Sequence, residues 1–263
     1  TQAGGKASLA IEDGALVLPG VFEEPTVPVD RLTASVRWQL EGERIAVQVP
    51  DLQFANADAQ GDARVAWSTA DAARAAGRSR FPGVLDLSGA LHRADGTRVH
   101  RYLPLSIPAE TRHYVRDAVT AGTASGVQFR VKGDLHDMPF SHGGPGEFRI
   151  AAQLKGVTYA YVPPGLQHAG DPAWPALTQL AGELVFDRSS MAVRGASGSF
   201  AGTPRLRVER VEARIPDLAH SVVGVQAQAQ GPLSDMLAFM AASPLSRLTS
   251  RALDGATGTG AAG

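Results

Sequence analysis

The chain has 263 residues, with 25 Lys+Arg against 26 Asp+Glu, and no cysteine. That length makes one or two domains of about 100–200 residues each and leaves ample chain to bury a core. The balanced charge excludes a nucleic-acid binder built on clustered cations, and the missing thiols exclude disulfide scaffolds, thiolate metal sites and cysteine nucleophiles.

In chain order, short runs at residues 7–12 and 15–18 read as strands parted by a hairpin turn at Glu12-Asp13-Gly14. Leu32, Ala34, Val36, Trp38 and Leu40 then alternate with Thr33, Ser35, Arg37 and Gln39. Successive strand side chains point to opposite faces, so this stretch predicts an antiparallel strand with one apolar and one wet face. The turn Glu41-Gly42-Glu43 leads to strands at 45–49, 52–57, 61–67 and 84–91, and Ala94-Asp95-Gly96 reads as another hairpin turn. Residues 108–121 predict a helix: Pro108 opens it, Glu110 lies in its first turn, and Gly122 stops it.

Alternation resumes at Val127, Phe129 and Val131, and again at Phe148, Ile150, Ala152 and Leu154. Strands follow at 157–162, 182–187 and 191–195, with a turn at Asp187-Arg188-Ser189-Ser190. In 204–215 the apolar phase slips between Val208 and Val211, which predicts a β-bulge near Glu209-Arg210. Val223, Val225, Ala227 and Ala229 alternate with Gly224, Gln226, Gln228 and Gln230, and residues 232–242 predict a second helix ending before Pro244. Short, regular turns favour a meander over βαβ units. No run approaches the ~18 apolar residues of a membrane span.

An internal repeat is visible. Ile45-Ala46-Val47 lines up with Met191-Ala192-Val193, Phe54-Ala55 with Phe200-Ala201, and the stretch from Leu32 to Trp38 with that from Leu180 to Phe186. A β unit that cannot close a core alone stacks on its neighbours.

Motifs for chemistry are missing. Gly195-Ala196-Ser197-Gly198-Ser199 lacks the last glycine of a nucleophile elbow, and no lysine sits in a phosphate-loop frame. His136, Asp137 and His142 are the nearest thing to a ligand cluster and read as loop surface; no metal or cofactor is expected. The pairs Glu23-Glu24 and Glu41/Glu43 read as solvated loop carboxylates. What recurs is an apolar strand face, and a one-sided sheet must cover that face with another layer, with itself, or with an apolar ligand.

Several stretches resemble the AsmA-like superfamily, most closely its YhdP-type members. They are Arg101-Tyr102-Leu103-Pro104 with the helix after it, the run from Gly133 to Phe140, and Gly146-Glu147-Phe148. Trp174-Pro175-Ala176-Leu177, the run from Leu180 to Phe186, and Gly231-Pro232-Leu233 through Ser243-Pro244-Leu245 complete the set. Met138 stands where the family commonly has phenylalanine. The resemblance implies a mainly β fold: a long, strongly curved antiparallel sheet, groove- or taco-shaped, from repeated β-meander units with two short helices. Its expected divisions are a first groove repeat at 1–92, a helical insertion at 93–122, a second repeat at 123–230, and a short helix with the start of a further segment at 231–263.

The resemblance also implies function. The chain is expected to be a non-enzymatic internal segment of a periplasmic groove, in a Gram-negative envelope protein anchored in the inner membrane by an N-terminal helix. Such proteins are implicated in moving phospholipid between inner and outer membranes. The expected partners are phospholipid acyl chains and adjacent segments of the same parent chain. Candidate lining residues are Leu9, Ile11, Leu16, Leu18, Val36, Trp38, Val47, Phe129, Val131, Ile150, Leu154, Leu184 and Phe186. The same residues also suit a dry core. The alternative function is a non-catalytic envelope scaffold or regulatory β-domain that binds other envelope proteins. An outer-membrane barrel would need aromatic girdles, and aromatics are only 6%.

Overall fold

Strands that are apolar on one side and joined by tight turns have one economical arrangement, each beside its predecessor. The computed structural model shows that arrangement for residues 2–71, 79–141, 144–170, 172–248 and 255–263, the residues described below. One open twelve-stranded sheet runs in strict chain order, every neighbouring pair antiparallel. The strands are β1 (Gln2–Val17), β2 (Thr26–Glu41), β3 (Arg44–Ala55), β4 (Ala59–Ser68), β5 (Val84–Asp95) and β6 (Val119–Asp134). They continue as β7 (Glu147–Tyr159), β8 (Leu177–Asp187), β9 (Ser190–Phe200), β10 (Thr203–Ile215), β11 (Gly224–Pro232) and β12 (Ala261–Ala262). Helix α1 (Ala109–Ala118) lies between β5 and β6; α2 (Leu233–Ala242) and the single turn α3 (Leu245–Leu248) lie between β11 and β12. The same succession therefore occurs twice, with helix before the sixth strand of each set. The sheet is unbroken between the sets, where Phe129 of β6 pairs with Ile150 of β7.

Antiparallel order sorts the connections. One end of the sheet carries loop 18–25, turn 56–58, segment 96–118, loop 160–176 and the α2–α3 region. The other end carries turns 42–43 and 188–189, segment 216–223, and the described residues of the β4–β5 and β6–β7 connections.

The strands are long because they bend without breaking. Val49 and Leu52 of β3 are three apart yet pack in one cluster with Val29, Leu32 and Ala34. Leu154 and Val157, Leu177 and Leu180, Val193 and Ala196, and Val208 and Val211 do the same in a second cluster. A spacing of three returns to the same face only if one residue is extruded between them, and the register shifts at those places. Left-handed backbone marks several of them, at Gly156 (φ 63°), Gln179 (52°), Gly195 (55°) and Arg210 (50°). Such bulges bend a strand and increase its twist. Carboxylates take up donors that the broken ladder releases. Ser35 N–H donates to Asp51 Oδ1 at 2.7 Å, and Gly195 N–H to Glu212 Oε1 at 2.7 Å.

Four readings from sequence are corrected. Glu12-Asp13-Gly14 is no hairpin: β1 runs straight through it, with Asp13 at φ 49° inside the strand. Residues 45–49 and 52–57 form one bulged strand that ends at Ala55, not two. Ala94-Asp95-Gly96 is also no hairpin, because the Asp95 carboxylate accepts from Thr97 N–H and starts a 3₁₀ turn at Gly96–Tyr102. Helix α1 is shorter than 108–121, since Val119 and Thr120, β-branched residues, already belong to β6. The bulge at Glu209-Arg210 is present.

Candidate functional site

Register carries one face across the sheet. Leu9 and Ile11 of β1 pair with Ala34 and Leu32 of β2, whose alternation continues to Val36 and Trp38. Trp38 pairs with Val47, Val47 with Trp67, Trp67 with Leu85, and Leu85 with Gly133. A second row runs from Gly89 through Phe129, Ile150, Phe186 and Met191 to Ile215. Val131 shares that face through Leu87 and Phe148, Leu184 through Ala152, and Leu154 through Gly182. Leu16 joins by packing in the cluster of Val29 and Leu32. The structure thus places every candidate lining residue except Leu18 on one face. Leu18 lies beyond β1, in loop 18–25, where its N–H donates to Pro25 O.

The opposite face is charged. Lys6, Arg37 and Gln48 line up there at one level, and Asp86, Lys132 and Glu147 line up further along. Arg130 bonds Asp86 at 2.5 Å and approaches Glu147 at 3.4 Å; Arg149 meets Asp187 at 3.2 Å and Arg194 meets Glu183 at 3.6 Å. These half-exposed pairs contribute little each, in the range of about 0–1 kcal/mol. Their role is to keep that side wet.

The apolar face has two textures. Toward the helix-bearing end it is packed: Val29, Leu32, Val157, Leu180, Ala196 and Val208 are all buried. Toward the other end it is more open and more aromatic, with Trp38, Trp67, Phe148 and Phe186 half-buried or exposed. Leu9 is 42% exposed, Trp38 37% and Val225 59%. Leu9 lies on the edge strand β1 and Val225 on β11 near the other edge, while Trp38 sits one strand in, between Gly5 and Val47. At about 4.8 Å per strand step, the continuous apolar surface from β2 to β10 runs for about 40 Å.

Glycines keep this surface low. A Cβ at Gly5 would lie 2.4 Å from Trp38 Cζ2, one at Gly89 would lie 2.5 Å from Phe129 Cζ, and one at Gly83 would lie 2.8 Å from Trp67 Nε1. Each large ring occupies space that a facing side chain would need. At the rim, Phe140 is 3% exposed and packs over Gly133 and Gly146. Arg188 holds that loop in place, its guanidinium donating to Phe140 O at 2.9 Å and Gly146 O at 3.0 Å.

The reading of the sequence missed Trp67, Phe148 and Phe140 as surface-forming residues. Trp67 and Phe148 carry the same alternation as the residues chosen. Phe140 sits in a loop and carries no periodic signal.

Among the described residues no group of three potential ligands can hold a metal ion. His136 lies in a 3₁₀ turn with Nε2 2.9 Å from Ser79 O, and His142 is outside the described residues. No helix among the described residues is long and apolar enough to cross a membrane. Near the helix-bearing end Tyr114 Oη lies 2.7 Å from Tyr159 Oη and donates to Tyr161 O, whereas the buried Thr203 hydroxyl has no hydrogen-bond partner. Burial pushes the Tyr159 phenol up, and the bond it donates to Tyr114 Oη adds to it.

A search of curated proteins finds no match, and a search of solved structures finds none. The family model described as YhdP protein matches residues 1–263. One-sided strands, the continuous apolar face and this match agree, and the chain belongs to the YhdP family.

Proposed function

We propose that the chain is a segment of a lipid-conducting groove in the bacterial envelope, and that the open half of its apolar face shields acyl chains from water. The observation that carries this reading is the unbroken apolar surface from Trp38 to Ile215, partly open along its length and uninterrupted by charge at the paired positions named above. Each methylene removed from water there contributes about 0.8 kcal/mol. The attraction is non-directional, so a chain can shift along the surface without passing a specific polar contact. Family membership supports a role in envelope lipid transport. On this reading the segment lies in the periplasm, in a protein anchored in the inner membrane. The function needs no reaction chemistry.

The test is phospholipid recovered with the purified protein, measured by mass spectrometry. Phe129→Asp places a charge in the middle of the surface. It should abolish lipid recovery while the sheet still folds by circular dichroism. A folded Phe129→Asp protein that retains its lipid would refute the reading. The envelope scaffold is the competing function, and it predicts that this substitution leaves partner binding unchanged.

A further inference from the structure

Loop 18–25 does not stay with its own hairpin. Phe22 forms an isolated antiparallel bridge with Pro104, and Leu105 N–H donates to Val21 O at 2.9 Å. The rings of Phe22 and Tyr102 meet edge-on, with centroids 6.2 Å apart. Both carboxylates of the loop are half-exposed to solvent and also engaged in ion pairs. Arg112 Nε donates to Glu23 Oε2 at 3.1 Å, and His113 Nε2 lies 3.0 Å from Glu23 Oε1. These two bonds, His113 first, hold the Glu23 carboxyl below its ordinary range. Arg101 joins Glu24 at 3.0 Å to Asp58 at 2.8 Å. Tyr102 Oη donates to Asp58 Oδ2, and the Asn56 amide donates to Tyr102 Oη and Pro28 O. The β3–β4 turn lies beneath this network, so that Asn56 is 7% and Asp58 8% exposed.

These contacts tie the β1–β2 hairpin to the segment after β5, passing over the ends of β3 and β4. Twist between neighbouring strands varies over roughly −10 to −35° per step, so ladder hydrogen bonds alone leave the curl from β2 to β5 loosely set. A tie between the two ends of that arc fixes it.

We propose that loop 18–25 is an ionic clasp that sets the curl of the first six strands, and that its release lets the β1–β2 hairpin swing away from segment 96–118. Charge is complementary across the joint: Glu23 and Glu24 come from the loop, and Arg101, Arg112 and His113 from the segment. Exposure divides the clasp into a fixed half and a releasable half. The Arg112 and Asp58 side chains are 9% and 11% exposed, whereas those of Glu23 and Glu24 are 49% and 56% exposed. Water and salt therefore reach the two loop carboxylates first. The second set of strands is fastened differently. There α2 is tied directly to its sheet, through Arg205 to Asp235 at 2.5 Å and Phe239 against Phe200 at 4.4 Å. The clasp stands on this geometry and does not depend on what the groove carries.

The chain lacks cysteine, so Val21→Cys and Val99→Cys introduce unique label sites. Both positions are exposed, one on the loop and one on the segment. Electron-electron distance measurement between spin labels there should give one narrow distribution. In the Glu23→Gln/Glu24→Gln background it should broaden toward longer distances. Without spin labels, the Leu105 amide should exchange on the order of tenfold faster in the double variant, because each lost pair gives up to about a factor of five. The Ala160 amide, which donates to Ala118 O at 2.8 Å, should stay protected. Unchanged exchange and distances would overturn the clasp. So would equal loss at Leu105 and Ala160, since the carboxylates would then support the fold at large. If the double variant fails to fold, Glu24→Gln alone must still raise Leu105 exchange above that of Ala160, or the proposal falls.

Discussion

Phe129 and Gly89 face each other across β6 and β5, and the ring occupies the space a side chain at Gly89 would need. A Cβ at Gly89 would come within 2.5 Å of Phe129 Cζ and 2.3 Å of Asp62 O, so backbone as well as ring forbids it. Gly89→Ala should therefore destabilise the sheet by about 1–3 kcal/mol, the usual cost of overpacking. A Cβ at Gly165 would meet nothing within 4 Å. Gly165→Ala should be neutral within about 0.5 kcal/mol. Paired denaturant titrations check both.

The two textures of the apolar face predict opposite responses. Leu180 is 7% exposed inside the second cluster, and Leu180→Ala should cost about 2–5 kcal/mol. Leu9 is 42% exposed on the edge strand, and Leu9→Gln should cost less than about 1 kcal/mol. Thermal unfolding of the two variants separates packed wall from open surface.

Tyr114 and Tyr159 predict an asymmetric pair of variants. Tyr159→Phe leaves the Tyr114 hydroxyl its bond to Tyr161 O and should cost about 0.5–1.5 kcal/mol. Tyr114→Phe strands the Tyr159 hydroxyl at the margin of a buried cluster and should cost about 1–3 kcal/mol. Equal costs in urea titrations would contradict the assignment of partners.

Asp51 gives a pH dependence. Bonds from the Ser35 hydroxyl and then the Ser35 N–H hold its carboxyl below the ordinary range. A lowered native pKa means that the contribution to stability is present above the unfolded value, about 3.9, and is lost as pH falls through the native value. The Ser35 amide should be protected from exchange at pH 7 and lose protection in the acid range below about pH 4. Asp51→Asn should remove that dependence, and an unchanged acid profile in the variant would contradict the account.

Much of the sheet was legible because alternation is a local signal. The runs from Leu32 to Leu40 and from Phe148 to Leu154 place their apolar residues on the face that register later confirms. The slip at Glu209-Arg210 was legible too, since apolar residues flank it on both sides. Asp13-Gly14 misled, because Asp-Gly is a strong hairpin dipeptide while a positive φ serves a mid-strand irregularity equally well. Asp95-Gly96 misled for a similar reason, an aspartate that ends a strand being equally able to cap a turn. The contacts of Glu23, Glu24 and Phe140 join residues far apart in sequence, and no periodicity encodes them.

The claim that the apolar face carries lipid is tested most directly by photo-crosslinking in living cells. A photoreactive residue is placed at Phe129, or at the adjacent Gln128 on the opposite face. The account predicts phospholipid adducts at position 129 and none at 128, read by mass spectrometry. A folded protein with no lipid at either position, or with equal labelling at both, would contradict it.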